Sequence, residues 1–196
     1  MISKVDIRPI VRSHLRTLRL PRNGRLLKRD VIGFYVAPAA IGGVLAFCGV
    51  RFDAAFIDYG LVAHTIYIPL LVSVLFSIFS ISQSSRFSAA NLAQGDNAAV
   101  HVRKLRKLLS EVCDNIAYVI VMSFLSAAML SAARLCTMFN LDMPYAGDDT
   151  DAFLNSMINA AVLFVAYSLV LHIILTTLMI VKRAHAVLAL EFEDDN

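Results

Sequence analysis

The alternation of apolar and polar stretches along the chain sets its reading. A membrane helix needs about 20 mostly apolar residues to cross about 30 Å of hydrocarbon. Residues 31–50, 61–82, 115–133 and 154–181 meet that demand, and no Asp or Glu lies in any of them. Between them fall short polar connections. The pattern predicts an all-α fold. It is a four-transmembrane-helix bundle with an N-terminal amphipathic helix and a cytoplasmic helical extension of span three. Residues 1–30 form a basic segment, 31–183 the membrane domain, and 184–196 an acidic tail that the pattern leaves frayed. The first 30 residues are too basic and interrupted for a cleavable leader, so span one is expected to act as the insertion signal.

Within residues 1–30, Ile7, Ile10, Val11, Leu15 and Leu18 follow helical spacing, and Arg8, Arg12, Arg16 and Arg19 follow it on another face. Two readings fit: a helix lying on an anionic membrane surface, or one packed on protein or solvated. Pro21, Asn23 and Gly24 end it. The loop at 83–114 turns at Gly95–Asn97 and restarts as a helix from Ala98. Val102, Leu105, Leu108, Leu109 and Val112 form its apolar side, and Arg103, Lys104, Arg106 and Lys107 its basic one. No breaker separates it from span three, so the two are expected to be one rod.

The spans themselves carry small and polar residues at helical intervals. Ala39 and Gly43 stand four apart in span one, as do Gly42 and Ala46; Ser123, Ala127 and Ser131 recur every four in span three. Such spacing lets helix backbones approach closely where water drives nothing together, so these residues are expected to pack helices or subunits. Pro38 and Pro69 are expected to bend or interrupt spans one and two. Ser73, Ser77 and Ser80 make a stripe in span two, and Ser168, His172 and Thr176 another in span four. His172 is the only ionisable side chain well inside a span. Each stripe either lines a polar path or packs against a neighbouring helix.

Composition sharpens this picture. The 196 residues are 58% hydrophobic and only 17% charged, with mean hydropathy +0.68, where soluble domains run nearer a quarter charged. The charge is also one-sided. Nine Lys or Arg precede residue 31, five lie in 83–114, and Lys182 and Arg183 close span four; the opposite loops hold only Arg51 and Arg134. Positive charge stays on the cytoplasmic side, which places both termini there, in the inner membrane. The loop with Asp142, Asp148, Asp149 and Asp151 then lies outside.

Several chemistries are missing. Proton-coupled transporters use carboxylates within the membrane, and the small four-pass multidrug exporters depend on an embedded Glu; these spans have neither. Cys48, Cys113 and Cys136 form no CxxC, so a thiol oxidoreductase or zinc site is not expected, and a Cys48–Cys136 disulfide is less expected than two free thiols. No Walker lysine loop, HExxH or GxSxG occurs. No enzyme, cofactor or metal is expected.

In its length, four spans, cytosolic termini and basic helix running into span three, the chain resembles the small four-pass membrane subunits of bacterial antiphage systems, the Kiwa membrane subunit among them. The resemblance implies a homo-oligomer of the inner membrane that senses infection, with a cytoplasmic DNA-binding partner; nucleic acid would be met only through that partner. The residues themselves leave two functions open. One is an oligomeric sensor or scaffold docking a soluble partner on its basic face, with anionic headgroups beside it. The other is an oligomeric channel or pore lined by a serine or histidine stripe, with a holin-like lesion former behind it.

Overall fold

In the computed structural model of the protein, residues 6–18, 28–48, 54–82, 96–138 and 149–193 are described. They form helices without a strand among them. In chain order these are α1 (Arg8–Thr17), α2 (Lys28–Val31), a π-helical turn (Ile32–Val36), α3 (Ala37–Phe47), α4 (Ala54–Ser82), α5 (Asp96–Met138) and α6 (Asp149–Glu193). Among the described residues, four stretches are long and apolar enough to cross a membrane: Arg29–Phe47, Ala54–Ser80, Arg103–Leu135 and Ala160–Val187.

The extension and span three are indeed one continuous helix, α5. Elsewhere the helices outrun the apolar stretches. α4 starts at Ala54 rather than near residue 61, because Ile57 is already buried and Asp58 already pairs with Arg134 of α5. Helix runs to Met138 on one side of the acidic loop and is present again from Asp149, and the tail is helical to Glu193. Ala184, Ala186, Leu188, Ala189, Leu190 and Glu191 are good helix formers, so nothing stops the helix at the charged boundary. Pro69 does not interrupt α4. Pro38 acts differently: the backbone widens into the π-helical turn just ahead of it. Arg19, Pro21, Asn23, Gly24, Arg51 and residues 83–95 lie outside the described residues, as does the side chain of Cys136. Cys48 carries a free, exposed thiol.

Two compact units divide the chain. One comprises Leu26–Ile68 and Met122–Leu175. Its core is Ile57, Leu130, Ala133 and Ala166, flanked by Leu61 and Val162. A methyl group on Gly60 would lie 3.1 Å from Leu130 Cδ1, so the glycine lets that leucine in. Gly42 makes a closer approach. A Cβ there would sit 3.0 Å from the backbone nitrogen of Ser168 and 3.1 Å from the Phe164 carbonyl. Gly42 rather than Gly43 is therefore the tight small-residue contact of span one; Gly43 meets only the Phe164 ring at ordinary distance.

The other unit comprises Met1–Arg25, Pro69–Val121 and Thr176–Asn196. Within it Leu109, Val112, Ile116 and Val119 are buried along one side of α5. Across the spans, many large apolar side chains face outward, among them Phe47, Val62, Ile66, Leu70, Phe76, Phe79 and Leu178. An apolar surface of this extent is costly in water and matches hydrocarbon.

Candidate functional site

The densest polar constellation among the described residues joins α1 to α5 and α6. α1 starts where the Asp6 carboxylate accepts the Arg8 N–H at 2.9 Å, with Pro9 in its first turn, where a missing N–H costs nothing. From that start, every turn is used. Ser13 Oγ donates to Asp114 Oδ2 at 2.5 Å. His14 is fully buried, and its Nδ1 lies 2.8 Å from Asn115 Oδ1. The same oxygen accepts from Thr17 Oγ1 at 3.0 Å. The His14 ring stacks flat on Tyr118, centroids 3.8 Å apart and planes 1° off parallel. Arg183 of α6 then closes the corner: its Nη2 donates to the Thr17 carbonyl at 2.8 Å, and its Nη1 stands 3.4 Å from Glu111 Oε2.

This clamp orients α1. His14 and Leu18 are buried, while Arg8, Arg12 and Arg16 are exposed on the opposite side. Of the apolar set of α1, Leu18 is buried against the chain, Ile10, Val11 and Leu15 are half-buried, and Ile7 is exposed. Oriented this way, the clamp also uses up acid. Asp114 is bonded to Ser13 and Glu111 is paired with Arg183, whereas Arg103, Lys104, Arg106 and Lys107 are all exposed. By helical spacing Arg103 and Lys107 stand on the same side of α5 as Glu111, Asp114 and Tyr118. One side of α5 thus reads basic first, then acidic and polar where α1 sits.

Sequence reasoning named the arginines but missed Ser13, His14, Thr17, Glu111, Asp114, Asn115, Tyr118 and Arg183 as a set. The signal was present. Ser13, His14 and Thr17 recur at three- and four-residue spacing on α1, and so do Glu111, Asp114, Asn115 and Tyr118 on α5. Two such stripes are complementary, one donor-rich and one acceptor-rich.

The polar stripes of the spans lie elsewhere and are largely satisfied by backbone. Ser73 and Ser77 are exposed, and their hydroxyls donate to the carbonyls of Pro69 and Ser73, each at 2.9 Å; Ser80 is exposed beside them. Ser168 Oγ donates to Phe164 O at 2.7 Å, next to Gly42. His172 is buried, donates from Nδ1 to Phe34 O at 2.6 Å, and lies tilted against Tyr35. Thr176 is fully buried. A second histidine, His64, sits in α4 with Nδ1 on Gly60 O at 2.7 Å.

Of the packing residues in span three, Ser123 is buried, Ala127 is half-buried, and exposed Ser131 donates to Ala127 O at 2.9 Å. Ala39 is half-buried. The Ser123 and Ser126 hydroxyls and the Asn115 amide nitrogen are buried with no partner among the described residues. No protein-family model, curated protein or solved structure matches this chain.

Proposed function

We propose that the chain is an oligomeric inner-membrane scaffold, of the sensor kind, that docks an acidic soluble partner on a basic cytoplasmic face formed by α5. One observation carries this reading. Arg103, Lys104, Arg106 and Lys107 are exposed, while the acids next along the helix, Glu111 and Asp114, are engaged by Arg183 and Ser13. Lys104, Arg106 and Lys107 thus present positive charge at the surface of α5, and such a surface steers and orients an acidic partner.

The positive-inside rule places that surface in the cytoplasm. Small residues at Ala39, Gly43, Ala127 and Ser131 offer contact sites for further copies of the chain. The parallel with antiphage membrane subunits gives the reading its biological context. The channel reading has less behind it: Ser73, Ser77 and Ser168 spend their hydroxyls on backbone carbonyls, and His172 spends its Nδ1 hydrogen on Phe34.

The test is purification of the full chain from its native membrane with whatever soluble protein accompanies it. Wild type should emerge as an oligomer with a soluble protein at fixed stoichiometry. Reversal of Arg103, Lys104, Arg106 and Lys107 to Glu should release that protein and leave the oligomer whole. A monomer that retains no partner, or retention unaffected by the reversal, contradicts the reading.

A further inference from the structure

We infer that Arg8, Arg12 and Arg16 on α1 form a binding surface for anionic phospholipid headgroups, distinct from the α5 residues assigned to a soluble partner. Three observations lead there. The first is depth. α1 is fastened to Asp114 and Asn115 of α5 and to Arg183 of α6. Residues 115–133 carry no charge, and neither do residues 152–181. Asp114 and Arg183 therefore mark where both spans leave the hydrocarbon, and α1 lies at the level of the headgroups.

The second is direction. The side of α1 bearing His14 and Leu18 is buried against the chain, and the arginines point the other way. Around a membrane protein at this depth, a side chain pointing away from the protein meets lipid headgroups. Ile7, exposed at 48%, stands beside Arg8 at the start of the helix and suits the boundary between headgroup and acyl chain.

The third is chemistry. The three guanidinium groups recur one helical turn apart, about 6 Å along the axis. Each is a planar fork that grips phosphate oxygens bidentately. The clamp holds the helix still while they do so, which lowers the ordering cost of binding. A zwitterionic headgroup offers the same phosphate with a compensating cation, so the surface selects lipids with net negative charge.

The experiment reconstitutes the full chain in phosphatidylcholine vesicles containing a minor fraction of phosphatidylglycerol. The protein is then extracted gently, and the retained lipids are counted by native mass spectrometry. Wild type should retain phosphatidylglycerol several-fold above its share of the vesicle, less so at high salt. Arg8→Gln, Arg12→Gln and Arg16→Gln together should bring retention down to that share. Lys104→Gln, Arg106→Gln and Lys107→Gln together should leave it at the wild-type level.

Unchanged retention in the α1 variant, or equal loss in both variants, overturns the inference. Should the triple variant fail to insert, Arg12→Gln alone should lower retention and Arg12→Lys should restore part of it; no effect of Arg12→Gln overturns the inference equally. Capture of a soluble partner should follow the α5 variant and not the α1 variant, so this inference and the docking proposal fail separately.

Discussion

His172 donates its Nδ1 hydrogen to the carbonyl of Phe34 at 2.6 Å. Pro38 explains why that carbonyl takes a side-chain donor. In a regular helix the N–H of residue 38 would serve the carbonyl of residue 34, and proline has none to give. The backbone opens into a π-helical turn over Ile32–Val36, and span four supplies the missing hydrogen from a histidine. Within the Ser168–His172–Thr176 stripe, His172 thus serves a carbonyl of a neighbouring helix. The same bond assigns the ring its Nδ1–H form.

This pairing predicts a coupled pair of substitutions. His172→Leu leaves the Phe34 carbonyl without its donor and should cost about 1–3 kcal/mol of stability. Pro38→Ala restores a backbone N–H at the place it is needed. In that background the cost of His172→Leu should fall by about 1 kcal/mol, read as a double-mutant cycle from denaturation in detergent or bicelles. Purely additive effects would mean that Pro38 does not create the demand.

The glycines of span one should separate by position. Gly42→Ala puts a methyl group against the Ser168 nitrogen and the Phe164 carbonyl, both backbone atoms that cannot swing aside. It should destabilise by about 1–3 kcal/mol. Gly33→Ala meets nothing within 4 Å and should be neutral or slightly stabilising. Thermal unfolding of the two variants side by side checks the contrast, and equal effects would contradict it.

The α1 clamp should loosen from the α5 side. Asn115→Ala removes the acceptor that His14 and Thr17 share. Two hydrogen bonds at about 1 kcal/mol each correspond to about 30-fold more frequent opening. Hydrogen exchange of the α1 amides should accelerate by that order, with the centre of α5 unchanged. Protection of α1 at the wild-type level would show that apolar contact alone holds it.

Ser123 and Ser126 should behave opposite to most buried polar residues. Their hydroxyls are buried with no partner among the described residues. Replacing either with Ala removes an uncompensated polar group, so each variant should be as stable as wild type or more stable, by up to about 1 kcal/mol. Loss of stability in the isolated chain would assign these hydroxyls a partner.

How much of this was legible in the sequence follows from how local each signal is. A span announces itself by run length, and the continuity of α5 by the lack of any breaker near Asp114. Helix ends were less legible. Apolar runs mark where hydrocarbon ends, not where hydrogen bonding does, and α4 and α6 both continue past that boundary. The orientation of Arg8, Arg12 and Arg16 was half legible. Their spacing gives the face, but only the bonds from Ser13, His14 and Thr17 to α5 say which way it points. Those partners lie about a hundred residues apart, and no periodicity within one segment relates them. Gly42 shows the same limit: its spacing is shared with Gly43, and only the position of Ser168 distinguishes them.

The proposed docking face must be turned to the cytoplasm, and accessibility of introduced thiols tests that most directly. In a background without Cys48, Cys113 and Cys136, single cysteines are placed by Ala55→Cys, Asp148→Cys, Ser110→Cys and His185→Cys. An impermeant thiol reagent applied to intact cells, or to spheroplasts if an outer envelope shields the protein, should label positions 55 and 148. Positions 110 and 185 should react only after the membrane is opened. Labelling of 110 or 185 from outside, with 55 and 148 protected, would invert the topology and remove the docking face from the cytoplasm.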